Sequence, residues 1–199
     1  MDVTGIILAG GKSSRMGEDK GLLVLGEKTL AEIAIGHLSG ICSELVISTN
    51  NPDYRQFGLQ LIADQYKGIG PLGGLHTALS VTKTALNLVL SVDLPFVNAG
   101  ALEYLLSLMH GHQAAVPLSA PGCFEPLCAS YHVSVLPQIE SAIQQGDFKM
   151  QHLLEKVKTR YIQFSESHPF RHPDMFFNIN SPGDLKKAQK LSASNQSAR

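Results

Sequence analysis

Short runs of aliphatic and β-branched residues alternate along this chain with longer amphipathic stretches, and that rhythm restricts its fold more than any other feature. Strands are expected over residues 4–9, 45–49, 59–63, 86–92 and 113–117, with helices over 29–40, 73–82 and 98–109 between them. Strand-helix-strand units of about 30 residues or more suit right-handed crossovers between parallel strands. The expected class is therefore α/β: a three-layer, doubly wound, mostly parallel sheet of Rossmann-like type with its ligand crevice at the carboxyl ends of the strands. After Pro117 the rhythm changes. Residues 124–131 read as a strand, 133–145 as a helix, and 159–164 and 175–178 as short strands, which makes the C-terminal part mixed. Ser181-Pro182-Gly183-Asp184 starts a last helix, with Ser181 as its cap and Pro182 at the first helical position. No repeat or linker divides the chain, so residues 1–191 are expected to form one domain and residues 192–199 a polar, frayed tail.

Composition excludes several classes of function. With 44% hydrophobic and 17% charged residues among 199, the chain can bury a substantial core without a metal or disulfide staple. Its three cysteines, Cys42, Cys123 and Cys128, are too few for a disulfide framework. Cys123, Cys128 and His132 lack the spacing and the fourth ligand of a structural zinc site. A formal net charge of −1 gives no basic stripe for nucleic acid, no apolar run reaches membrane length, and the N-terminus lacks the basic start of a secretory signal. A cytoplasmic location, with neither nucleic acid nor membrane as a partner, is the expectation. An anionic ligand would have to be met by a local cluster.

Such a cluster follows the first strand. Leu8, Ala9, Gly10 and Gly11 bring the chain to a turn at the sheet's carboxyl end, and residues 10–20 carry Lys12, Arg15 and Lys20. Adjacent glycines let backbone amides approach an anion closely, and the three cations can neutralise a polyphosphate. Two familiar phosphate motifs fail on context. Gly11-Lys12-Ser13 resembles the end of a Walker A loop, yet the required earlier glycine is Ile6. Gly68-Ile69-Gly70-Pro71-Leu72-Gly73 matches G-x-G-x-x-G, but it lies outside the first strand-helix unit and carries a proline within the turn.

Leu8 to Gly17 reads L-A-G-G-K-S-S-R-M-G and is followed by Asp19-Lys20, which resembles the signature L-A-G-G-x-x-x-R-M-G-x-D-K of the nucleotide-sugar and pyrophosphorylase-like nucleotidyltransferases. Within that superfamily the chain is most similar to the molybdenum cofactor guanylyltransferases, the MobA family. Ile62-Ala63-Asp64, Gly70-Pro71-Leu72-Gly73-Gly74, Val92-Asp93-Leu94-Pro95-Phe96, Phe124-Glu125-Pro126-Leu127 and Asn178-Ile179-Asn180-Ser181-Pro182 occur in the family's order. One departure is Ser48, at a position where relatives often carry asparagine.

The resemblance implies transfer of GMP from GTP to the terminal phosphate of molybdopterin cofactor, with pyrophosphate released and Mg²⁺ as cofactor. It implies nucleotide contacts from Leu8, Ala9, Gly10, Gly11, Lys20, Asn50, Asp64, Gly70, Gly73, Gly74 and Asp93, with Lys20 and Arg15 on the triphosphate and Lys12 a further candidate. Asp93, at the end of an apolar strand, is the expected Mg²⁺ ligand and, with Lys20 and Arg15, part of the catalytic set. Asn178 and Asn180 would meet the cofactor or complete the metal shell; Glu125 and Arg171, whose roles rest on no matching family motif, are further candidates for the rim that meets the pterin side. A GTP-binding helper protein, a molybdenum-inserting enzyme and cofactor chaperones are partners implied by the resemblance alone. Two other readings stand beside this one: a cytidylyltransferase acting on the same cofactor or on a small phosphorylated alcohol, and a nucleotide-binding module without chemistry. The histidines of His110-Gly111-His112 and of residues 168–172 are expected on the solvated surface.

Overall fold

A strand buried on both faces has no polar side, and the first strand is of that kind. In the computed structural model, which describes residues 2–10 and 19–197, β1 (Val3–Leu8) is buried at all six positions. Ile7 points into a cluster with Ile47, Leu88 and Leu90, while Ile6 and Leu8 point the other way with Val46 and Val89. A sheet apolar on both sides needs a helical layer on each, as in doubly wound folds.

The other strands are β2 (Val24–Leu25), β3 (Lys28–Thr29), β4 (Glu44–Ser48), β5 (Gln60–Ile62), β6 (Leu86–Ser91), β7 (Ala114–Ala120), β8 (Cys123–Phe124), β9 (Cys128–His132) and β10 (Thr159–Gln163). The helices are α1 (Leu30–Ser39), α2 (Pro71–Val81), α3 (Ala99–Ser107), α4 (Leu136–Gln144), α5 (Met150–Lys156) and α6 (Pro182–Ser197). The main sheet runs β10-β7-β9-β6-β1-β4-β5, with β8 on β7 and β2 and β3 paired apart as a small ribbon. Strands β5, β4, β1 and β6 are mutually parallel, whereas β9 lies antiparallel between β6 and β7. Helices α1, α3 and α6 cover one face, and α2, α4 and α5 the other.

Local chemistry accounts for most boundaries. Thr29 and Glu32 form a reciprocal capping box that starts α1, satisfying amides otherwise left unpaired and contributing about 1 kcal/mol. Gly70 starts α2 in a conformation (φ 72°, ψ −158°) open only to glycine, and Pro71 occupies the first turn, where no backbone donor is needed. The helix thus begins two residues before the expected Gly73.

Four differences from the sequence reading lie in the C-terminal half. The strand expected over 124–131 is two strands, because Glu125-Pro126-Leu127 turns and Leu127 accepts from the Ser91 amide at 2.8 Å. Residues 175–178 form no strand; consecutive turn bonds, Met175 to His172 and Phe177 to Asp174, curl the chain instead. Helix α5 has no counterpart in the sequence reading, its seven residues being too few for a clear period. Finally, α6 continues through Ser197 into the segment expected to fray, since neither glycine nor proline follows Gly183 to stop it.

The chain leaves β1 through α1 for β4 on one side, and later leaves β5 through α2 for β6 on the other. Strands β1 and β6 are therefore neighbours at the point where winding reverses, and their paired ends, Leu8 and Ser91, open on a crevice there.

Candidate active site at the switch point

Three side chains from distant parts of the chain meet at that crevice. Lys20 opens a short 3₁₀ turn (Lys20–Leu22) whose cap is Asp19. The Asp19 carboxylate accepts from the Gly21 amide at 3.1 Å, from Asn51 at 3.0 Å and from the Tyr54 hydroxyl. Burial first, and the bond to Asp19 next, push the Tyr54 phenol above its ordinary range, so it serves as a fixed neutral donor. Lys20 Nζ then donates to Asn180 Oδ1 at 2.6 Å and stands 3.7 Å from Asp93 Oδ2. Asn180 is held by Asp184 of α6, whose carboxylate accepts from the Asn180 amide at 3.2 Å and from the Ser181 hydroxyl at 2.7 Å. The expected capping of α6 by Ser181 is thereby observed, and it fixes a site residue as well as a helix.

The backbone around Asp93 is bound on every side. Val92 donates to Leu8 at 3.1 Å, Leu94 to Ser91 at 3.3 Å, and Ile179 to the Asp93 carbonyl at 3.0 Å. His37 of α1 bonds through Nε2 to the Pro95 carbonyl at 3.2 Å. A carbonyl can only accept, so Nε2 carries the proton. Burial pushes the His37 pKa down, against the opposing pull of that bond. Asp93 does not cap α3; Asn98 does, accepting from the Ala101 amide at 2.9 Å.

One oxygen of Asp93, Oδ1, is buried without a hydrogen-bond partner. Leaving a charged acceptor in that state ordinarily costs about 1–3 kcal/mol or more, and a cation would satisfy it. Among the described residues no group of three or more histidine, cysteine, aspartate or glutamate side chains could hold a metal. A lone carboxylate suits Mg²⁺, which takes most of its remaining shell from phosphate oxygens and water.

On the far side of β1 the expected nucleotide contacts Asn50 and Asp64 also meet, together with Ser48. Ser48, the last residue of β4, donates to Asp64 Oδ1 at 3.2 Å, and the Asn50 amide group donates to Asp64 Oδ2 at 3.4 Å while accepting from the Asp64 backbone at 3.2 Å. A β-carbon on Gly74 would stand 2.9 Å from Ser48 Oγ and 3.4 Å from Asp64 Oδ1, so the helix can approach Asp64 only because residue 74 has no side chain. A β-carbon on Gly10 would stand 3.8 Å from Oδ2 of the same carboxylate. Gly73 differs from its neighbour: it packs against the Tyr66 carbonyl and Ile69 of its own loop. Leu8 and Ala9 are buried, and Ala9 is tied to β4 through Ser48 and Thr49. Gly11, Lys12 and Arg15 lie outside the described residues.

Glu125 lies in the turn between β8 and β9, its amide donating to the Pro117 carbonyl at 2.9 Å. Burial pushes its carboxyl above the ordinary range, a hydrogen bond from Ser119 opposes the rise, and the negative charge of Asp93 adds to it. Asn178 is exposed, separated from Asn180 by buried Ile179. The histidine expectation needs correcting at His168: its ring stacks at 4.9 Å from Tyr104, 4.8 Å from Phe164 and 5.5 Å from Phe170, inside an aromatic group. Sequence reasoning missed Asn51, Tyr54 and His37 altogether. Only their packing behind Lys20 and Asp93 reveals them, whereas Asp19 could have been suspected from its place beside Lys20 in the signature.

The MobA-like NTP transferase domain matches residues 5–161. The chain belongs to that family. Among similar proteins, a probable molybdenum cofactor guanylyltransferase of Flavobacterium johnsoniae is 36% identical over 184 residues, covering 92% of this chain and 94% of that one. Another of Peptoclostridium acidaminophilum is 34% identical over 195 residues, covering 94% and 88%. The crystal structure of molybdopterin-guanine dinucleotide biosynthesis protein A from Archaeoglobus fulgidus matches with a TM-score of 0.80 at 29% identity, over 96% of this chain and 99% of that one. Membership makes the chain a nucleotidyltransferase of Rossmann-like fold. No helix among the described residues is long and apolar enough to cross a membrane.

Proposed function

We propose that this nucleotidyltransferase moves GMP from GTP to the terminal phosphate of the molybdenum cofactor, giving the guanine dinucleotide form and pyrophosphate. The observation that carries the reading is the convergence of Lys20, Asp93 and Asn180 at the switch point, with Asp64 and Gly74 on the opposite bank. The acceptor's phosphate oxygen forms a new bond to the α-phosphorus of GTP, and the bond from that phosphorus to the β-bridging oxygen breaks. A phosphate monoester is largely dianionic at neutral pH, so no side chain need remove a proton from the nucleophile. The chain's task is positioning and charge neutralisation.

Lys20 and Arg15 neutralise the triphosphate, and Asn180 holds the Lys20 ammonium in place. Asp93, with its partnerless Oδ1, would hold Mg²⁺, and Asn178 or Asn180 would complete the shell. Bound there, Mg²⁺ would polarise the phosphates and steady the leaving pyrophosphate. The backbone of Leu8, Ala9, Gly10 and Gly11 lines the nucleotide, while Asp64, supported by Ser48 and Asn50, accepts hydrogen bonds from the base or ribose between Gly10 and Gly74. A guanine edge offers adjacent N–H donors to such a carboxylate. Gly70 and Gly73 shape that loop. A cytoplasmic setting, a GTP-binding helper protein, a molybdenum-inserting enzyme and cofactor chaperones complete the proposal.

The test is pyrophosphate release with molybdopterin as acceptor, Mg²⁺ present, and GTP, CTP, ATP or UTP supplied separately. GTP alone should support sustained release. Release with CTP alone would keep the mechanism and replace the base assignment, and no release with any of the four would overturn the reading.

A further inference from the structure

The chain between β10 and α6 forms no regular element, yet it builds a cavity of about 270 Å³ lined by Ser119, Arg171, His172, Asp174, Phe176 and Phe177. One run of contacts connects that cavity with the transfer site. Phe177 packs edge-on against Phe96 at 6.2 Å, Ile179 bonds to the Asp93 carbonyl and Asn180 meets Lys20. An acceptor whose phosphate reached Lys20 and Asp93 would have its remainder within reach of this cavity.

The lining has a definite chemistry. Phe176 and Phe177 offer aromatic walls. Arg171 commits one guanidinium nitrogen, at 3.4 Å, to the Phe164 carbonyl, and a guanidinium carries five N–H donors in all. His172 accepts from the Asp174 amide at Nδ1, which leaves the proton of the neutral ring on Nε2 as a donor. The Asp174 carboxylate supplies acceptors. Donors and a carboxylate set between aromatic walls suit a flat heteroaromatic ring with an amino-oxo-pyrimidine edge. A sugar phosphate would leave the aromatic walls unused. The volume lies just below the roughly 300–1,000 Å³ of drug-sized ligand sites, enough for one fused ring system rather than a nucleotide.

We infer that this cavity seats the heteroaromatic ring of the phosphate-bearing acceptor, with Arg171 and Asp174 reading its polar edge. The inference rests on the transfer reaction proposed above. The test uses the full chain in two assays: transfer kinetics with molybdopterin varied at saturating GTP, and fluorescence titration of 6-hydroxymethylpterin, which has no phosphate to transfer. Arg171→Ala and, independently, Asp174→Asn should each raise the acceptor KM and the pterin dissociation constant about tenfold or more, leaving the GTP KM within about twofold. Arg171→Lys, which keeps the charge and loses the planar fork, should fall between. Loss of packing alone would lower kcat or the GTP affinity as well, and would not single out the acceptor. Efficient transfer with acceptor KM unmoved in both variants would overturn the cavity assignment and leave the reaction standing. Saturable pterin binding that depends on Arg171 and Asp174, in a chain that transfers no nucleotide, would support the cavity and reject the reaction.

Discussion

The two banks of the crevice are built by different means. The bank proposed to hold the nucleotide uses the ends of parallel strands β1, β4, β5 and β6, and its residues leave those strands within a few positions: Gly10 after β1, Asn50 after β4, Asp64 after β5 and Asp93 after β6. The bank proposed to hold the acceptor hangs on an antiparallel insertion, β9, and on the long excursion from Phe164 to Ser181. There the shape is set by contacts far apart in sequence. Asn98 both caps α3 and donates to the Phe170 carbonyl at 2.7 Å, and Phe170 lies where a side chain on Gly100 would clash. A strand end is a fixed launching point, so catalytic groups placed on it inherit the sheet's rigidity. An irregular segment can change with its ligand while the sheet stays constant.

That contrast can be broken by experiment. The largest effect is expected from Lys20→Ala, which removes the cation shared by both banks. kcat/KM should fall on the order of a hundred- to a thousandfold, as when one transition-state donor is deleted. A loss under about tenfold would remove Lys20 from the transfer site.

Gly74→Ala sharpens the nucleotide side, because its β-carbon would stand 2.9 Å from Ser48 Oγ and disturb the Asp64 network. Overpacking of this kind costs about 1–3 kcal/mol. The GTP KM should rise about tenfold, with the acceptor KM unchanged, since each 1.4 kcal/mol is about a factor of ten. Equal rises for both substrates would blur the division into banks.

Glu125→Gln addresses the acceptor side and should have the smallest effect. The folded pKa of Glu125 is raised, chiefly by burial. Its contribution to stability is therefore fully present below the unfolded carboxyl pKa and is lost as pH rises through the raised folded value. Glutamine has no proton to lose. The variant's thermal midpoint relative to the parent should climb by a few degrees at most between pH 4 and pH 8. A gap that stays constant or narrows with pH would contradict the burial assigned to Glu125.

The same contrast explains what could be read from the sequence. Period and punctuation exposed the parallel half: the apolar runs of β1, β4 and β6, Thr29 and Gly40 around α1, and Asn98 ahead of α3 all stand where expected. Of the residues taken from motif resemblance, Lys20, Asp93 and Asn180 come together in one group and Asn50, Asp64 and Gly74 in another. What stayed hidden has no local period. Tyr54 and His37 act through a single bond each to Asp19 and Pro95, and nothing near them in sequence marks that use. The 175–178 segment reads as a strand because Met175, Phe176 and Phe177 form an apolar run, but Met175 and Ile179 are buried anchors of an irregular turn. Burial alone does not reveal a ladder when no partner strand has room beside it.

The central claim is that Asp93 anchors phosphoryl chemistry at the junction of the two banks. The most direct test is single-turnover GMP transfer by Asp93→Ala, with Mg²⁺ and saturating GTP and molybdopterin, beside a thermal-unfolding trace to establish that the fold is intact. The account requires transfer to fall on the order of a thousandfold or more, several kcal/mol of lost charge stabilisation, in a protein that still unfolds cooperatively. A folded Asp93→Ala variant transferring GMP within about tenfold of the parent rate would contradict it.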